Sequence, residues 1–100
     1  MTTEEQLSIV IAIHHRVADV FGVSRESMLA RRRHREIAEA KFAACLVCRR
    51  AMGISFNRLS AMFGDKSQSL FNHRHKRAEA LMDVDQAFRA KVDSILRTIT

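Results

Sequence analysis

The chain has 100 residues, no proline, three glycines, 47% hydrophobic residues and a formal net charge of +6, which fits one small domain with a modest core over residues 1–100. No run of about 18 apolar residues could span a bilayer, and the opening "MTTEEQ" lacks the basic stretch of a secretory signal, so a cytoplasmic protein without membrane attachment is expected. Two cysteines, Cys45 and Cys48, are too few for the disulfide framework of a secreted mini-protein and are expected to be reduced.

A first helix is predicted from about Glu4 to Phe21, because Leu7, Val10, Ile11, Val17, Ala18 and Phe21 gather on one face at helical spacing. His14 and His15 are adjacent within it and point apart, so one is expected packed and the other solvated. Gly22 ends the helix, since a C′ position often needs the left-handed conformation that glycine adopts without strain. Ser24 then caps a short helix carrying Met28 and Leu29, with Glu26 in the first turn to complement its dipole. "ARRRHRE" has no apolar member between Ala30 and Ile37 and is predicted to be a loop or an exposed helix start.

A long helix is predicted over Glu36 to Met52, with Ile37, Ala40, Ala44, Val47, Cys48 and Ala51 facing inward. These are mostly small side chains that let neighbouring helices approach, so this helix is expected to be the central strut. Cys45 and Cys48 read as core residues one turn apart. A structural zinc site would need a second Cys-x-x-Cys or a spaced His pair, and His73 and His75, two apart, cannot easily share a metal.

Gly53 ends the strut. Ser55 caps a short helix from about Phe56 to Phe63 with Leu59, Met62 and Phe63 inward, and Gly64 stops it. Ser67 caps the next helix, Gln68 to about Asp83, anchored by Phe71 or Leu70 or both and by Ala78 and Leu81. A last helix, Val84 to about Ile99, packs back through Phe88, Val92, Ile95 and Leu96. Met28, Met52 and Met62 are expected as core filler and Met82 as partly exposed. The fold class is therefore all-α, about six helices, and the two helices flanking Gly64 form a helix-turn-helix.

The charge is unevenly placed: residues 1–30 carry a net of minus two, 31–77 a net of plus nine, and 78–100 a net of minus one. A basic block between near-neutral ends is the footprint of a phosphate-binding surface. In a helix-turn-helix the N-terminal residues of the second helix meet base edges, a position held here by Lys66, Ser67, Gln68 and Ser69. Glutamine bonds adenine in a bidentate way, lysine donates to guanine, and serine serves base or phosphate. Arg74, Lys76 and Arg77 follow as phosphate candidates, although not all three fit on one face. No nucleophile and base are linked by a motif, so no enzyme is expected.

The segments "VADVFGVSRESMLARRRHREIA", "AMGISFNRLSAMFG", "KSQSLFNH" and "ILRTIT" carry a resemblance, from Leu7 to the C-terminus, to the C-terminal DNA-binding domain of the bacterial replication initiator DnaA. The resemblance implies a six-helix, Trp-repressor-like domain. Matched to the family's signature Arg-Asp-His-Thr-Thr-Val-x-His, Lys66 takes the place of the Arg, Ser67 of the Asp, Gln68 of the His and Ser69 of the first Thr. Leu70 falls at the second Thr, Phe71 at the Val and His73 at the closing His. The Asp-His pair is absent, and Glu39 stands where the family places an arginine, while Lys41 keeps the next basic position.

Two readings follow. In the first, a lone DnaA-like domain binds double-stranded DNA, with some sequence specificity, on the nucleoid, in control of replication initiation or transcription. Lys66, Ser67, Gln68 and Ser69 contact bases, and Arg31, Arg32, Arg33, Arg35, Lys41, Ser55, Arg74 and Lys76 contact phosphates. Nothing in the chain resembles a glycine-rich phosphate loop, so no nucleotide, metal or other cofactor is expected. In the second, motivated by the missing Asp-His pair and by Glu39, the domain contacts the replication initiator or its regulators without strong DNA binding.

Overall fold

The computed structural model describes residues 3–29, 34–53, 55–62 and 68–99. Among them are six helices and no strand: α1 (Thr3–Phe21), α2 (Arg25–Leu29), α3 (Arg35–Met52), α4 (Phe56–Met62), α5 (Gln68–Val84) and α6 (Gln86–Ile99). The expected all-α architecture is the observed one. No helix among the described residues is long and apolar enough to cross a membrane.

The signals that delimit the helices act as the residue types dictate. Gly22 and Gly53 take φ of 68° and 64°, the left-handed region in which a side-chain-bearing residue is strained. Gly53 uses that turn to donate its N–H to the Arg49 carbonyl at 3.1 Å, satisfying one orphan acceptor at the end of α3. Ser24 Oγ accepts the Ser27 amide at 3.0 Å and Ser55 Oγ accepts the Arg58 amide at 3.3 Å, so both serines cap the helices predicted for them.

The strut is α3, which packs against all five other helices. Ala40, Ala43, Ala44, Cys45, Leu46, Val47 and Cys48 are all buried, and the small members let α1 and α5 lie close on either side. One contiguous core gathers Val10, Ile13 and Val17 from α1, Leu59 from α4, Phe71 and Ala78 from α5, and Phe88, Val92 and Ile95 from α6 around it. The Phe21 and Phe88 rings meet edge to face, centroids 5.8 Å apart, and join α1 to α6.

Several expectations are corrected. Leu7 is 42% exposed while its neighbour Gln6 is buried, because the α1 stripe runs through Gln6, Val10, Ile13 and Val17 and places Leu7 at its edge. Gln6 tolerates that position because its Oε1 accepts a 2.7 Å bond from Arg58 Nε of α4. Ala51, in the last turn of α3, is exposed. Met82 is buried, since Phe71, Ala78 and Met82 recur on one face of α5. Val84 is the last residue of α5, not the first of α6, and is 80% exposed. The break falls at Asp85, whose Oδ1 caps α6 by accepting the Phe88 amide at 3.0 Å. Phe63 and Gly64, with the side chains of Leu29 and Met62, lie outside the described residues.

Of the two adjacent histidines, His14 is buried and His15 exposed. Burial, reinforced by the nearby Arg25 charge, lowers the His14 pKa to about 4, against a smaller opposing effect of its hydrogen bond to the Val10 backbone. Because the folded value lies below the unfolded one, the unfolded chain binds the extra proton between pH 6.5 and 4, and stability falls as pH drops through that window. We expect a loss of about 3 kcal/mol from this residue. Urea midpoints at pH 7 and pH 4.5 should differ less in His14→Leu than in the wild type; equal pH dependence would remove His14 as the cause.

Candidate nucleic-acid interface

The rotation of α5 is fixed by Phe71. That ring is fully buried, whereas Gln68, Ser69 and Leu70 in the first turn are exposed. With about 100° per residue, anchoring Phe71, Ala78 and Met82 inward turns Ser69, His73 and Lys76 outward within about 60° of one another. All three are exposed. His73 was not among the residues expected to touch DNA; its spacing of four from Ser69 and three to Lys76 is the signal that brings it into the stripe.

The other cations divide by partner. Arg77 lies over the Phe42 ring of α3, 5.9 Å from its centroid, so it braces α5 against α3. Arg74 is half-buried on the inner flank, which separates it from Lys76. His75 faces the end of α3: its Nδ1 is 3.1 Å from Glu79 Oε1. Burial holds its pKa below the usual value, the Glu79 carboxylate opposing and Arg49 and Arg50 adding to the effect. A neutral ring is thus the form stabilised beside two arginines.

On α4, Arg58 is held by α1. Besides the bond to Gln6, its Nη2 donates to Thr3 Oγ1 at 2.7 Å. The helix that precedes α5 is therefore docked to the body by a guanidinium fork. Between α1 and α4 runs an open groove of about 410 Å³ lined by Thr3, Leu7, Arg58 and Ala61.

Of the residues expected at phosphates, Arg35 is exposed at the start of α3 and its Nε donates to Glu39 Oε1 at 3.4 Å. The carboxylate one turn on partly neutralises it. Lys41 is half-buried on the same helix. Ser55 is exposed, and since its oxygen accepts the cap bond its O–H remains a donor. Arg31, Arg32, Arg33, Lys66 and Ser67 lie outside the described residues. Neither cysteine offers reactive chemistry: both are buried, and desolvation together with Cys45 raises the Cys48 thiol well above its ordinary value. No group of three His, Cys, Asp or Glu side chains able to hold a metal occurs among the described residues.

The sequence profile of the family described as bacterial DnaA protein helix-turn-helix matches residues 10–77. This chain belongs to that family. It is 28% identical over 85 residues to the chromosomal replication initiator protein DnaA of Pseudothermotoga lettingae, covering 84% of this chain and 19% of the relative. The DnaA protein of Spiroplasma citri is 26% identical over 83 residues, 83% of this chain and 18% of its own. The chain thus spans about a fifth of the length of these relatives. A crystal structure of a DNA replication initiation factor superimposes with a TM-score of 0.83 at 20% identity, over 96% of this chain and 29% of that one, and so shares its fold.

Within the DnaA family frame, α4 and α5 are the helix-turn-helix pair, and they pack directly on each other. Of the two positions that the resemblance matches to the signature's Val and second Thr, Phe71 is fully buried and Leu70 is exposed. The larger apolar pair therefore splits, one side chain into the core and one out.

Proposed function

We propose that this chain is a double-stranded-DNA-binding module acting in the control of replication initiation or transcription, in the cytoplasm and on the nucleoid. The observation that carries the reading is the outward stripe of Ser69, His73 and Lys76 on α5, the second helix of a DnaA-family helix-turn-helix, within a block of residues whose net charge is plus nine. Helices so placed enter the major groove by their N-terminal end. Gln68 and Ser69, with Lys66 and Ser67 before them, meet base edges, hydroxyls and amide supplying both donors and acceptors. Lys76 and Arg74 follow the phosphates from α5, while Arg31, Arg32, Arg33, Arg35, Lys41 and Ser55 hold the backbone from the basic loop, α3 and the start of α4. Binding of this kind uses no nucleotide and no metal.

Lys76→Ala tests the assignment. It should weaken binding to every duplex by a similar factor and flatten the dependence of log K on log salt by about 0.9, one phosphate contact. Its unfolding free energy should stay within about 0.5 kcal/mol of the wild type. An unchanged salt slope takes Lys76, and with it the outward face of α5, out of the interface.

A second reading, an interaction module for the replication initiator or its regulators, is favoured by the Arg35–Glu39 pair and by the groove at Leu7. The pair removes charge from the phosphate side, and the groove exposes a large apolar side chain on the first helix. Purified initiator that stays bound after nuclease treatment would favour it over the first.

A further inference from the structure

The outer face of α1 is open to solvent along most of its length. Glu4, Glu5, Ser8, Ala12, His15 and Arg16 are all exposed, and at about 100° per residue they fall within one arc of about 120°, opposite Val10 and Val17 in the core. The chemistry of this face is graded along the helix axis: two carboxylates in the first turn, two small side chains in the middle, then an imidazole and a guanidinium. Ile9 and Ile11, both half-buried, border it, and Leu7, 42% exposed, continues the apolar margin. Arg16 is steadied at one edge, its Nε donating to Thr98 Oγ1 of α6 at 3.2 Å; that N–H is one of the five donors its guanidinium carries.

A face graded in this way is complementary to itself when reversed. We infer that it is an interface between two copies of this chain, paired through antiparallel α1 helices about a two-fold axis. With the pair centred at Val10, Ser8 of one copy lies opposite Ala12 of the other, Glu4 opposite His15, and Glu5 opposite Arg16, each to within one residue of height. The sides agree as well as the heights. A two-fold axis lying across the seam keeps each contact on one side of it, and the helical repeat sets Glu4 and His15 about 20° apart and Glu5 and Arg16 about 20° apart. The small Ser8 and Ala12 at the crossing let the two axes approach closely. A parallel pair would instead set the two acidic turns side by side, where like charges repel. A second copy supplies all three matches from the same residues, which is what singles it out as the occupant.

The pairing engages one helix from each copy, a small interface by the standard of stable dimers, so it should show as a concentration-dependent exchange between monomer and dimer. Sedimentation equilibrium of the full chain, without DNA and over a wide concentration range, reads it. Glu5→Arg and Arg16→Glu should each weaken self-association about tenfold, because the two-fold axis repeats every like-charge contact. Mixing the two variants in equal amounts should restore association to about the wild-type level: the arginine introduced at position 5 of one then faces the glutamate introduced at position 16 of the other, and the native Arg16 and Glu5 face each other. Ala12→Gln puts bulk at the crossing and should abolish association. Because Ala12 is exposed, that variant should melt with the wild type, and because α1 and α5 lie on either side of α3, its affinity for a single-site duplex should match the wild type's.

A wild type that stays monomeric at every concentration would overturn the inference. Self-association untouched by all three substitutions would put the contact on another face and overturn it too, as would a mixture of the charge variants that associates no better than either alone. Loss of duplex affinity in a folded Ala12→Gln would assign the outer face of α1 to DNA and not to a second copy. The sedimentation results stand whether or not the chain binds DNA, so failure of the dimer and failure of the DNA-binding reading are told apart.

Discussion

Phe71→Ala should lower the unfolding free energy by about 3–5 kcal/mol, the range for deleting a buried aromatic ring from a packed core. The ring is fully buried, and α5 meets α3, α4 and α6 around it, so the surrounding backbone has little freedom to collapse into the void. Against a typical total of about 5–15 kcal/mol for a small domain, that loss leaves the variant marginal or largely unfolded at 37 °C. The substitution one residue earlier gives the internal control: Leu70→Ala, at an exposed site, should fall within about 0.5 kcal/mol of the wild type. Urea titrations of the two variants decide the point. Similar losses in both would mean that α5 is not rotated as described, and the outward stripe of Ser69, His73 and Lys76 would go with it.

The double variant Arg32→Ala and Arg33→Ala should flatten the salt dependence by about 1.8, two phosphate contacts, and weaken binding by on the order of tenfold per residue. The loss should be equal on specific and shuffled duplexes, because phosphate contacts position the protein and carry no sequence information. Arg35→Ala should cost less than either, since Glu39 already holds its guanidinium at 3.4 Å and part of its charge is spent within the helix. Anisotropy titrations across a salt series measure all three; an unaltered slope in the double variant would place the basic loop outside the interface.

The helices were legible because their causes are local. Apolar spacing marked α1, α3 and α6, the left-handed glycines marked the ends of α1 and α3, and Ser24 and Ser55 marked the starts of α2 and α4. What was not legible depends on partners far along the chain. Gln6 sits on the buried stripe of α1 because Arg58, 52 residues away, donates to it, and no periodicity encodes that bond. Val84 reads as the start of the last helix, yet Asp85 captures the Phe88 amide and leaves Val84 as the exposed end of α5.

The candidate site divides in the same way. That α5 starts at Gln68 agrees with the start expected there, whereas the choice between Leu70 and Phe71 as anchor was open until the core around α3 settled it. His73 joins the stripe only once that rotation is known. Arg77 counts as a free cation in the sequence and as a brace on Phe42 in the fold. The Arg35–Glu39 pair is the exception, an i,i+4 contact that spacing alone could have disclosed.

The most direct test of the central claim is fluorescence anisotropy of the wild-type chain with three duplexes, across a salt series: one carrying the standard DnaA box, one shuffled, and one from the DNA flanking its own coding sequence. The account predicts tight binding at low salt with log K falling steeply and linearly against log salt, the slope reporting several phosphate contacts. Binding that is absent near physiological salt, or that is weak and insensitive to salt on all three duplexes, would contradict it.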